Sequence, residues 1–383
     1  MLIFFLKCIF WISVFLFVYS YTIYPLLLAI FAKFFGKSVK RKYDIEFPFV
    51  AFIVPVYNEE KIIKQKIENI LSLDYPNDRL TIWIGSDCST DKTHEIVNTF
   101  KDSRIKLWIA EKRGGKTEVI NKLTPSLNAD ILVFTDANTM HKKDSLKKMI
   151  GWFADSKVGG VAGHIEHVFN RNNIEEKIYR NFESLQKSLE SKLHSTISAF
   201  GGFYSIRKEV FSSIKYNAYS NDDVLIPMNV IRKGFRMIFD KEAVSYEDST
   251  DNIKNEFSRR VRIGAGNFQA FSWLLDFLNP LKGWPWFCYV SHKVTRWFSP
   301  FFLILAFLSC FLLVVLNGPI LYHVIFYLAC LILILSLLYL VLPLFFIRPF
   351  FYFLSMHLAL FLGFFRFLGG IKSAAWMRTE RNV

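Results

Sequence analysis

Residues 47–71 read FPFVAFIVPVYNEEKIIKQKIENIL, and this stretch decides the fold class. Residues 49–54 form a continuous apolar run, the pattern of a strand buried on both faces in a parallel sheet. The polar loop PVYNEE follows, and KIIKQKIENIL then places apolar residues at helical spacing. A buried strand, a polar loop and an amphipathic helix in that order predict the start of a parallel β–α–β arrangement.

The same order recurs along the following residues. LTIWIGSDCSTDKTHEIVNTF, then RIKLWIAE with GGKTEVINKL, and finally ADILVFTDAN each combine a strand with a polar loop. Alternating strands and helices predict an α/β domain with a Rossmann-like, mostly parallel sheet covered on both faces. Ligands of such sheets bind at the carboxyl ends of the strands. At that edge the sequence places four unusual polar residues, namely Glu59, Asp87, Lys116 and Asp136.

The flanks of this domain are far more apolar than an ordinary soluble enzyme. The 383-residue chain is 52% hydrophobic with 41 Phe, and residues 1–32 carry one charge, Lys7. Since about 20 apolar residues span a bilayer, we predict a transmembrane anchor over 1–36. The alternative, a signal peptide, lacks a small-x-small cleavage site. C-terminal transmembrane helices are predicted over 298–371, at about 298–316 and 320–346. For a third segment, about 350–368, the sequence does not decide between a full transmembrane crossing, a re-entrant segment and an interfacial position.

The domain boundaries follow from these shifts in composition. The globular domain is predicted over 45–262 and a basic tail over 372–383. Between about 265 and 298, tryptophans interleave with cations, a mixture typical of the headgroup zone. We therefore predict amphipathic interfacial helices over 263–297. The residues concerned are Trp273, Trp284, Trp286, Trp297, Lys282, His292, Lys293 and Arg296.

A basic cluster follows the N-terminal anchor and predicts the orientation. It contains no acidic residue and consists of Lys33, Lys37, Lys40, Arg41 and Lys42. The positive-inside rule places it, and the globular domain, on the cytoplasmic side of the inner or plasma membrane. The net charge of +14 is explained by membrane lipids and anionic substrates, so we predict no nucleic-acid partner. The five cysteines form no CxxC pair and are predicted to be reduced.

Six motifs, PVYNEE, SDCSTD, RGGK, TDAN, NDDVLIP and RRVRI, occur in an informative order. Each motif alone is weak, but the series over about residues 48–270 resembles the membrane-bound, inverting family-two glycosyltransferases. That branch includes cellulose, hyaluronan and poly-N-acetylglucosamine synthases. The resemblance implies a GT-A catalytic domain that transfers a sugar, with UDP the expected nucleotide, to a glycan or lipid-linked acceptor in polysaccharide biosynthesis. A complete export channel would require a homo-oligomer or export partners.

The resemblance also assigns donor-binding residues. It implies that the nucleobase and ribose are held by Pro55, Tyr57, Glu59 and Asp87. Lys116 follows a glycine pair, taken to be flexible, from which a lysine can approach a diphosphate. A simpler interpretation of SDCSTD is a helix N-cap supplied by Ser89, Thr90 or Asp91. Capping does not use Asp87, so the two interpretations are compatible.

Asp136 and Asn138 occupy the place of the family's Asp-x-Asp motif. A hard divalent cation, Mg²⁺ or Mn²⁺, takes oxygen ligands and bridges substrate phosphates. The second carboxylate is an amide in this chain, which ligates more weakly and adds no charge. Asp136 is therefore expected to carry more of the metal-binding role. The alternative is an Asx turn that ends a strand.

The pair Asp222 and Asp223 matches the family's catalytic Glu-Asp pair. The resemblance makes Asp223 the general base that takes the proton from the acceptor hydroxyl. The alternative is an acidic pair at a helix N-terminus, which the helix dipole favours.

Arg259 and Arg262 stand where the family has Gln-x-x-Arg-Trp. Arg262 matches the arginine that holds the leaving diphosphate, and Arg259 replaces the glutamine. Ile263 replaces the tryptophan that packs on the acceptor sugar in processive members, so processivity stays open. The alternative is a basic patch near lipid headgroups.

Two other functions remain compatible with the sequence. One is transfer of a single sugar to polyprenyl phosphate. The other is a non-enzymatic membrane transporter whose cytoplasmic domain senses nucleotide. Against transport, the predicted C-terminal spans contain few of the ionisable residues that mark transport pathways. Those present in and beside them are Arg348, His357 and Arg366.

Overall fold

The structure, a computed structural model, describes residues 1–37, 39–42, 44–168, 174–248 and 253–371. The chain divides into two compact units. The sheet unit contains residues 28–252 and 282–285, and the helical unit contains residues 1–27, 253–281 and 286–370. The predicted basic tail, 372–383, lies outside the described residues.

The sheet unit is built on one mixed sheet, with eight strands among the described residues. Its strands are β1 Val50–Val56, β2 Leu80–Ser86, β3 Ile105–Ile109, β4 Ile131–Phe134, β5 Met140–His141, β6 Val158–Val168, β7 Tyr204–Arg207 and β8 Arg236–Asp248. They lie in the order β3–β2–β1–β4–β7–β6–β8–β5. The first four are mutually parallel, as is the pair β6 and β8, whereas β7 runs antiparallel to both of its neighbours and β5 antiparallel to β8. The predicted α/β, GT-A-like fold is confirmed.

The helices of the described chain belong to both units. They are α1 Leu2–Val18, α2 Tyr24–Phe35, α3 Ile63–Leu71, α4 Thr93–Thr99, α5 Lys116–Leu123, α6 Ser145–Ile150, α7 Ile174–Leu193, α8 Asp222–Arg232, α9 Ile253–Trp273, α10 Trp284–Cys288, α11 Thr295–Trp297, α12 Ser299–Val315, α13 Ile320–Leu338 and α14 Arg348–Leu368. Short π-helical segments, Tyr19–Ile23 and Tyr289–Val294, join α1 to α2 and α10 to α11.

The central strand β1 explains where the functional loops emerge. All seven of its residues are buried, which its apolar sequence predicts. It pairs in parallel with β2 on one side and β4 on the other, so Val56 lies beside Ser86, and Ile53 beside Phe134. The loops that follow these three strands therefore leave the same edge of the sheet.

The basic segment after α2 is anchored to the sheet unit through Arg41. The Arg41 guanidinium pairs with Asp240 at 3.3 Å and with Glu242 at 3.1 Å, and it lies over the Trp152 ring. The Arg41 side chain is only 9% exposed. Among the predicted basic cluster, Arg41 is thus an internal ion-pair partner, whereas the lysines around it are exposed.

The described residues contain three helical stretches long and apolar enough to cross a membrane. These are Leu2–Phe35, Ile320–Leu338 and Phe345–Leu368. A fourth results if Trp284–Trp297 and Ser299–Val315, which are bent by 56°, form one broken span. Many large apolar side chains of α12 and α13 are exposed, which is the arrangement expected of helices that face lipid.

All five cysteines are free thiols.

Within the helical unit, α9 packs against α14 through two glycines. A Cβ atom at Gly363 would lie 2.7 Å from the backbone nitrogen of Ala265 and 2.8 Å from the Cα of Gly264. Small residues at such a crossing let two helix backbones approach closely. Helix α9 is continuous from 253 to 273, so the predicted boundary between 262 and 263 falls inside it.

Candidate active site at the strand ends

An ammonium group lies between two carboxylates at the edge where the loops emerge. Lys116 Nζ is 2.8 Å from Asp136 Oδ1 and 3.2 Å from Asp222 Oδ2. It also donates a hydrogen bond to the carbonyl oxygen of Gly201 at 3.3 Å. Lys116 begins α5, Asp136 follows β4, and Asp222 begins α8. Three predicted site residues from separate loops therefore converge.

The charge of Lys116 is maintained by this arrangement. Burial acts to lower the pKa of the Lys116 ammonium, but the attraction of Asp136 and Asp222 outweighs it. The net effect raises the pKa of Lys116 above its ordinary value. Lys116 is therefore a fixed cation throughout the neutral pH range.

The glycine pair before Lys116 is fixed rather than flexible, which corrects the expectation from sequence. Asp87 is fully buried, and its Oδ1 accepts the backbone N–H of Gly114 at 2.7 Å. Its Oδ2 accepts the N–H of Gly115 at 3.1 Å. Gly115 has a φ of +88°, which favours glycine at this position. Asp87 thus shapes the loop that delivers Lys116, while its predicted contact with the nucleobase or ribose stays a prediction.

Tyr57 lies beside the loop that contains the glycine pair, and its ring packs against the guanidinium of Arg113. The Arg113 guanidinium is 3.6 Å from the ring centroid of Tyr57, a cation–π geometry. Arg113 Nε is also 3.7 Å from Asp87 Oδ2. Arg113 was not among the residues predicted from sequence, although it begins the RGGK motif. Its position joins the first, second and third motifs.

The PVYNEE and SDCSTD loops are tied to each other by hydrogen bonds. Thr90 donates its backbone N–H to Asn58 Oδ1 at 2.7 Å, and Glu59 donates its backbone N–H to Thr93 Oγ1 at 2.9 Å. Asp91 Oδ1 accepts the N–H of Thr93, the first residue of α4, at 3.0 Å. The N-cap residue of α4 is Lys92, so the predicted N-cap at Ser89, Thr90 or Asp91 is wrong, although Asp91 contacts the first residue of the helix. This role leaves Asp87 available for the contacts described above.

Asn138 contacts a carboxylate that the sequence analysis missed. Its Nδ2 donates a hydrogen bond to Glu247 Oε1 at 2.6 Å. Among the described residues, no group of three or more His, Cys, Asp or Glu side chains is arranged to hold a metal. Mg²⁺, however, typically uses one or two carboxylates together with substrate phosphates. Asp136 and Asn138 fit this smaller donor set, with Glu247 fixing the orientation of the amide.

The predicted catalytic pair opens α8. Tyr204 donates its hydroxyl to Asp222 Oδ2 at 2.8 Å, so Asp222 is held by Tyr204 and Lys116 together. Burial and the neighbouring Asp222 carboxylate raise the pKa of Tyr204, which keeps this hydroxyl protonated as a donor. Asp223 faces Gly201, where an added Cβ would be 3.6 Å from Asp223 Oδ2. Tyr204 is a third residue, after Arg113 and Glu247, that sequence reasoning missed.

Three predicted site residues, Pro55, Arg259 and Arg262, are not among those that meet at Lys116. Pro55 lies inside the buried strand β1. Arg259 and Arg262 lie on α9, in the helical unit. Arg259 Nε pairs with Glu256 Oε2 at 3.0 Å. The placement of both arginines against the donor-binding residues stays a prediction.

The chain is similar in sequence to one protein family and to several known proteins. Residues 51–215 match the family model described as Glycosyl transferase family 2. The chain is 27% identical over 237 residues to a probable glycosyltransferase, YdaM, of Bacillus subtilis strain 168, covering 58% of this chain and 56% of that protein. It is 29% identical over 164 residues to the beta-monoglucosyldiacylglycerol synthase of Nostoc sp. strain PCC 7120, covering 42% and 34%. It is 23% identical over 256 residues to the poly-beta-1,6-N-acetyl-D-glucosamine synthase of Staphylococcus aureus strain COL, covering 64% and 61%.

These matches concern part of each relative, since the chain spans about half the length of the curated proteins it matches. Among solved structures, a mannosyltransferase from Pyrobaculum calidifontis in complex with GDP-Man and Mn²⁺ has a TM-score of 0.75 and 21% identity. The alignment covers 95% of this chain and 99% of that one, and it confirms the fold. Together, the family match and the relatives support a glycosyltransferase.

Proposed function

We propose that this protein transfers a sugar from a nucleotide-sugar donor, with inversion, to a glycan or lipid-linked acceptor at a membrane surface. One observation carries the proposal. Lys116, Asp136 and Asp222 come from three separate loops and meet within 3.2 Å at the carboxyl ends of the strands. A fixed cation beside two carboxylates is the charge arrangement needed to hold a diphosphate next to a catalytic carboxylate.

The donor diphosphate would bind beside Lys116. The negatively charged diphosphate would replace Asp136 and Asp222 as the partner of the Lys116 ammonium. Lys116 would then stabilise the charge that develops on the diphosphate as its bond to the sugar breaks. Arg262, with Arg259, would add positive charge to the same leaving group. Mg²⁺ or Mn²⁺, held by Asp136 and Asn138 with the phosphate oxygens, would neutralise the developing charge. A divalent cation accompanies the donor in the Pyrobaculum mannosyltransferase, which supports this part of the proposal.

Asp223 would act as the general base. The acceptor oxygen attacks the anomeric carbon and loses its proton to the Asp223 carboxylate, while the bond from that carbon to the diphosphate oxygen breaks. Asp222 also accepts a hydrogen bond from Tyr204, and this contact would fix the first turn of α8, which carries Asp223, after the diphosphate has bound to Lys116. Attack opposite the leaving group gives inversion in a single displacement.

The nucleotide is proposed to be UDP. Tyr57 and its stacked Arg113 would lie beside the nucleobase, with Glu59 and Asp87 completing that part of the site. The Pyrobaculum structure holds GDP-Man, so the experiment below includes both uridine and guanosine donors.

The names of two relatives support the proposed acceptor class. One is a synthase of a glucosylated diacylglycerol and another is a synthase of a polymer of N-acetylglucosamine. Ile263 stands where processive family members have a tryptophan, which favours a single-sugar product on a lipid carrier as the second candidate. The exposed lysines after α2 support a cytoplasmic position for the sheet unit. Export of a polymer would require an oligomer or partner proteins.

The test is release of nucleoside diphosphate by purified full-length protein in lipid nanodiscs, with Mn²⁺ and a panel of UDP- and GDP-sugars. We expect release with one donor and its loss in Asp223→Asn, while Glu209→Gln, a change at an exposed acid, retains it. Product length on a gel then separates single transfer from polymerisation. Absence of release with every donor, together with unchanged behaviour of Asp223→Asn, would favour the nucleotide-sensing transporter instead.

A further inference from the structure

A lysine is buried beneath the loop that carries Asp136 and Asn138. Helix α3 presents Ile63, Ile67 and Ile70 to the core, and Lys66 lies in the same buried row. The Lys66 side chain is fully buried. A lysine at an apolar helix position loses its hydration shell, so it requires hydrogen-bond acceptors inside the protein.

The Lys66 ammonium finds its acceptors at both ends of the loop. It donates to Thr135 Oγ1 at 2.7 Å and to the carbonyl oxygen of Thr139. Its third partner is His141 Nε2 at 3.0 Å. An ammonium has three donors, and all three are used. Thr135 and Thr139 enclose the segment 136–138, so one buried group fastens the loop on both sides.

His141, the third partner of Lys66, is itself held by hydrogen bonds to β8 and to α3. Its Nδ1 is 2.7 Å from Ser245 Oγ on β8, so the tautomer that accepts from Lys66 at Nε2 donates from Nδ1. The backbone of His141 exchanges two hydrogen bonds with the Asn69 side chain, at 2.7 and 2.9 Å, one helical turn beyond Lys66. The network therefore joins α3, the loop after β4, and β8.

Burial and the nearby charged groups act on Lys66 in opposite directions, and burial has the larger effect. Burial lowers the pKa of Lys66 well below its ordinary value, while Asp136 and Glu247 act in the opposite direction. Burial and the neighbouring Lys66 also lower the pKa of His141, which favours its neutral, accepting form. Both carboxylates belong to the proposed donor site or contact it.

We propose that Lys66 is a positioning residue for donor binding, which rests on the proposed function. By holding Thr135 and Thr139, it fixes the loop so that Asp136 and Asn138 present their oxygens to the cation and diphosphate. An apolar side chain would fill the same space but would leave the loop ends without this common attachment. Gly202 also lies close to Thr139, because an added Cβ at Gly202 would clash with Thr139 Oγ1.

The test compares Lys66→Met with Lys64→Met in purified full-length protein. Met has a similar length and no ammonium, and Lys64 is exposed on the same helix. We measure Mn²⁺ binding by electron paramagnetic resonance, nucleoside diphosphate binding by calorimetry, and kcat and KM for the donor. Lys66→Met is expected to weaken Mn²⁺ and nucleoside diphosphate binding roughly ten-fold and to raise the donor KM similarly. Lys64→Met is expected to match wild type.

A second variant keeps the test decisive if Lys66→Met does not fold. Thr135→Val removes one acceptor with little change in volume, and we expect a smaller loss of Mn²⁺ affinity in the same direction. The double variant should lose no more than Lys66→Met alone, because both changes remove one shared contact. A lower melting temperature with unchanged Mn²⁺ and nucleotide affinities would overturn the proposal, since it would reduce Lys66 to a folding role. Ligand binding without sugar transfer would overturn the proposed function alone.

Discussion

Lys116 Nζ lies 2.8 Å from Asp136 Oδ1, although the two residues belong to different loops of the sheet. The contact joins the residue proposed to hold the diphosphate to the residue proposed to hold the metal. Because the same ammonium also reaches Asp222, the catalytic pair is linked to the donor site. The Lys116 side chain therefore connects the proposed diphosphate site, the proposed metal site and the proposed catalytic pair.

Replacement of Lys116 by Met is expected to impair catalysis more than folding. The change removes the cation that stabilises the leaving diphosphate, and loss of one such group typically lowers the rate by roughly 10²–10³-fold. Measurement of kcat/KM for the donor checks this expectation. Lys122→Met is the matched control, since Lys122 is on the same helix and its exposed side chain pairs with Glu118. Comparable activity of Lys116→Met and the control would contradict the proposed role.

Asp87→Asn is expected to loosen the RGGK loop. An amide would place an N–H₂ group against one of the two glycine N–H groups that the carboxylate now accepts. A buried donor left without an acceptor costs about 1–3 kcal/mol, so the melting temperature should fall and the donor KM should rise. Thermal unfolding and donor kinetics, compared with Asp102→Asn at a surface ion pair, provide the measurement. A raised KM without destabilisation would instead indicate that Asp87 acts by direct contact with the donor.

The sheet and much of the candidate site were predictable because they follow from local patterns. A strand buried on both faces leaves a continuous apolar run, and β1 and β4 show it. Polar residues directly after such strands share one edge by the geometry of parallel pairing, which brought Lys116 and Asp136 together. The order of the motifs then indicated the chemistry.

The positions of Tyr204 and Glu247 depend on tertiary packing and on how β6, β7 and β8 pair, which carry little signal in sequence. Tyr204 reaches Asp222 from β7, and Glu247 reaches Asn138 from β8, both in the irregular second half of the sheet. The supposed flexibility of the glycine pair was wrong because a buried carboxylate distant in the sequence fixes it. Lys66 did leave a signal, since it occupies an apolar position in the helical repeat of α3.

The stability of the sheet unit is expected to fall between about pH 6.5 and pH 4 because of His194. Burial, with the nearby Arg236 and Lys37 charges, lowers the pKa of His194 from 6.5 to about 4. The unfolded chain binds a proton below pH 6.5 that the folded chain accepts only near pH 4, so stability is complete above this range and decreases as the pH falls through it. Thermal unfolding at several pH values should show a shallower decrease in His194→Gln. An identical pH dependence of both proteins would exclude His194 as the cause.

Gly363→Ala is expected to destabilise the helical unit, because α9 and α14 touch where Gly264 and Gly363 lie. A Cβ at Gly363 would be 2.7 Å from the Ala265 backbone nitrogen, closer than side-chain carbons normally approach. The helices would have to separate, losing packing along their length, and overpacking of this kind costs typically about 1–3 kcal/mol. Gly369→Ala is the control, since its added Cβ would be 3.4 Å from the nearest atom, an ordinary contact at the tight limit. Thermal unfolding in nanodiscs should separate the two variants, and equal melting temperatures would show that the crossing can relax without loss. Because α9 also carries Arg259 and Arg262, donor kinetics of Gly363→Ala would reveal whether this crossing matters for their proposed role.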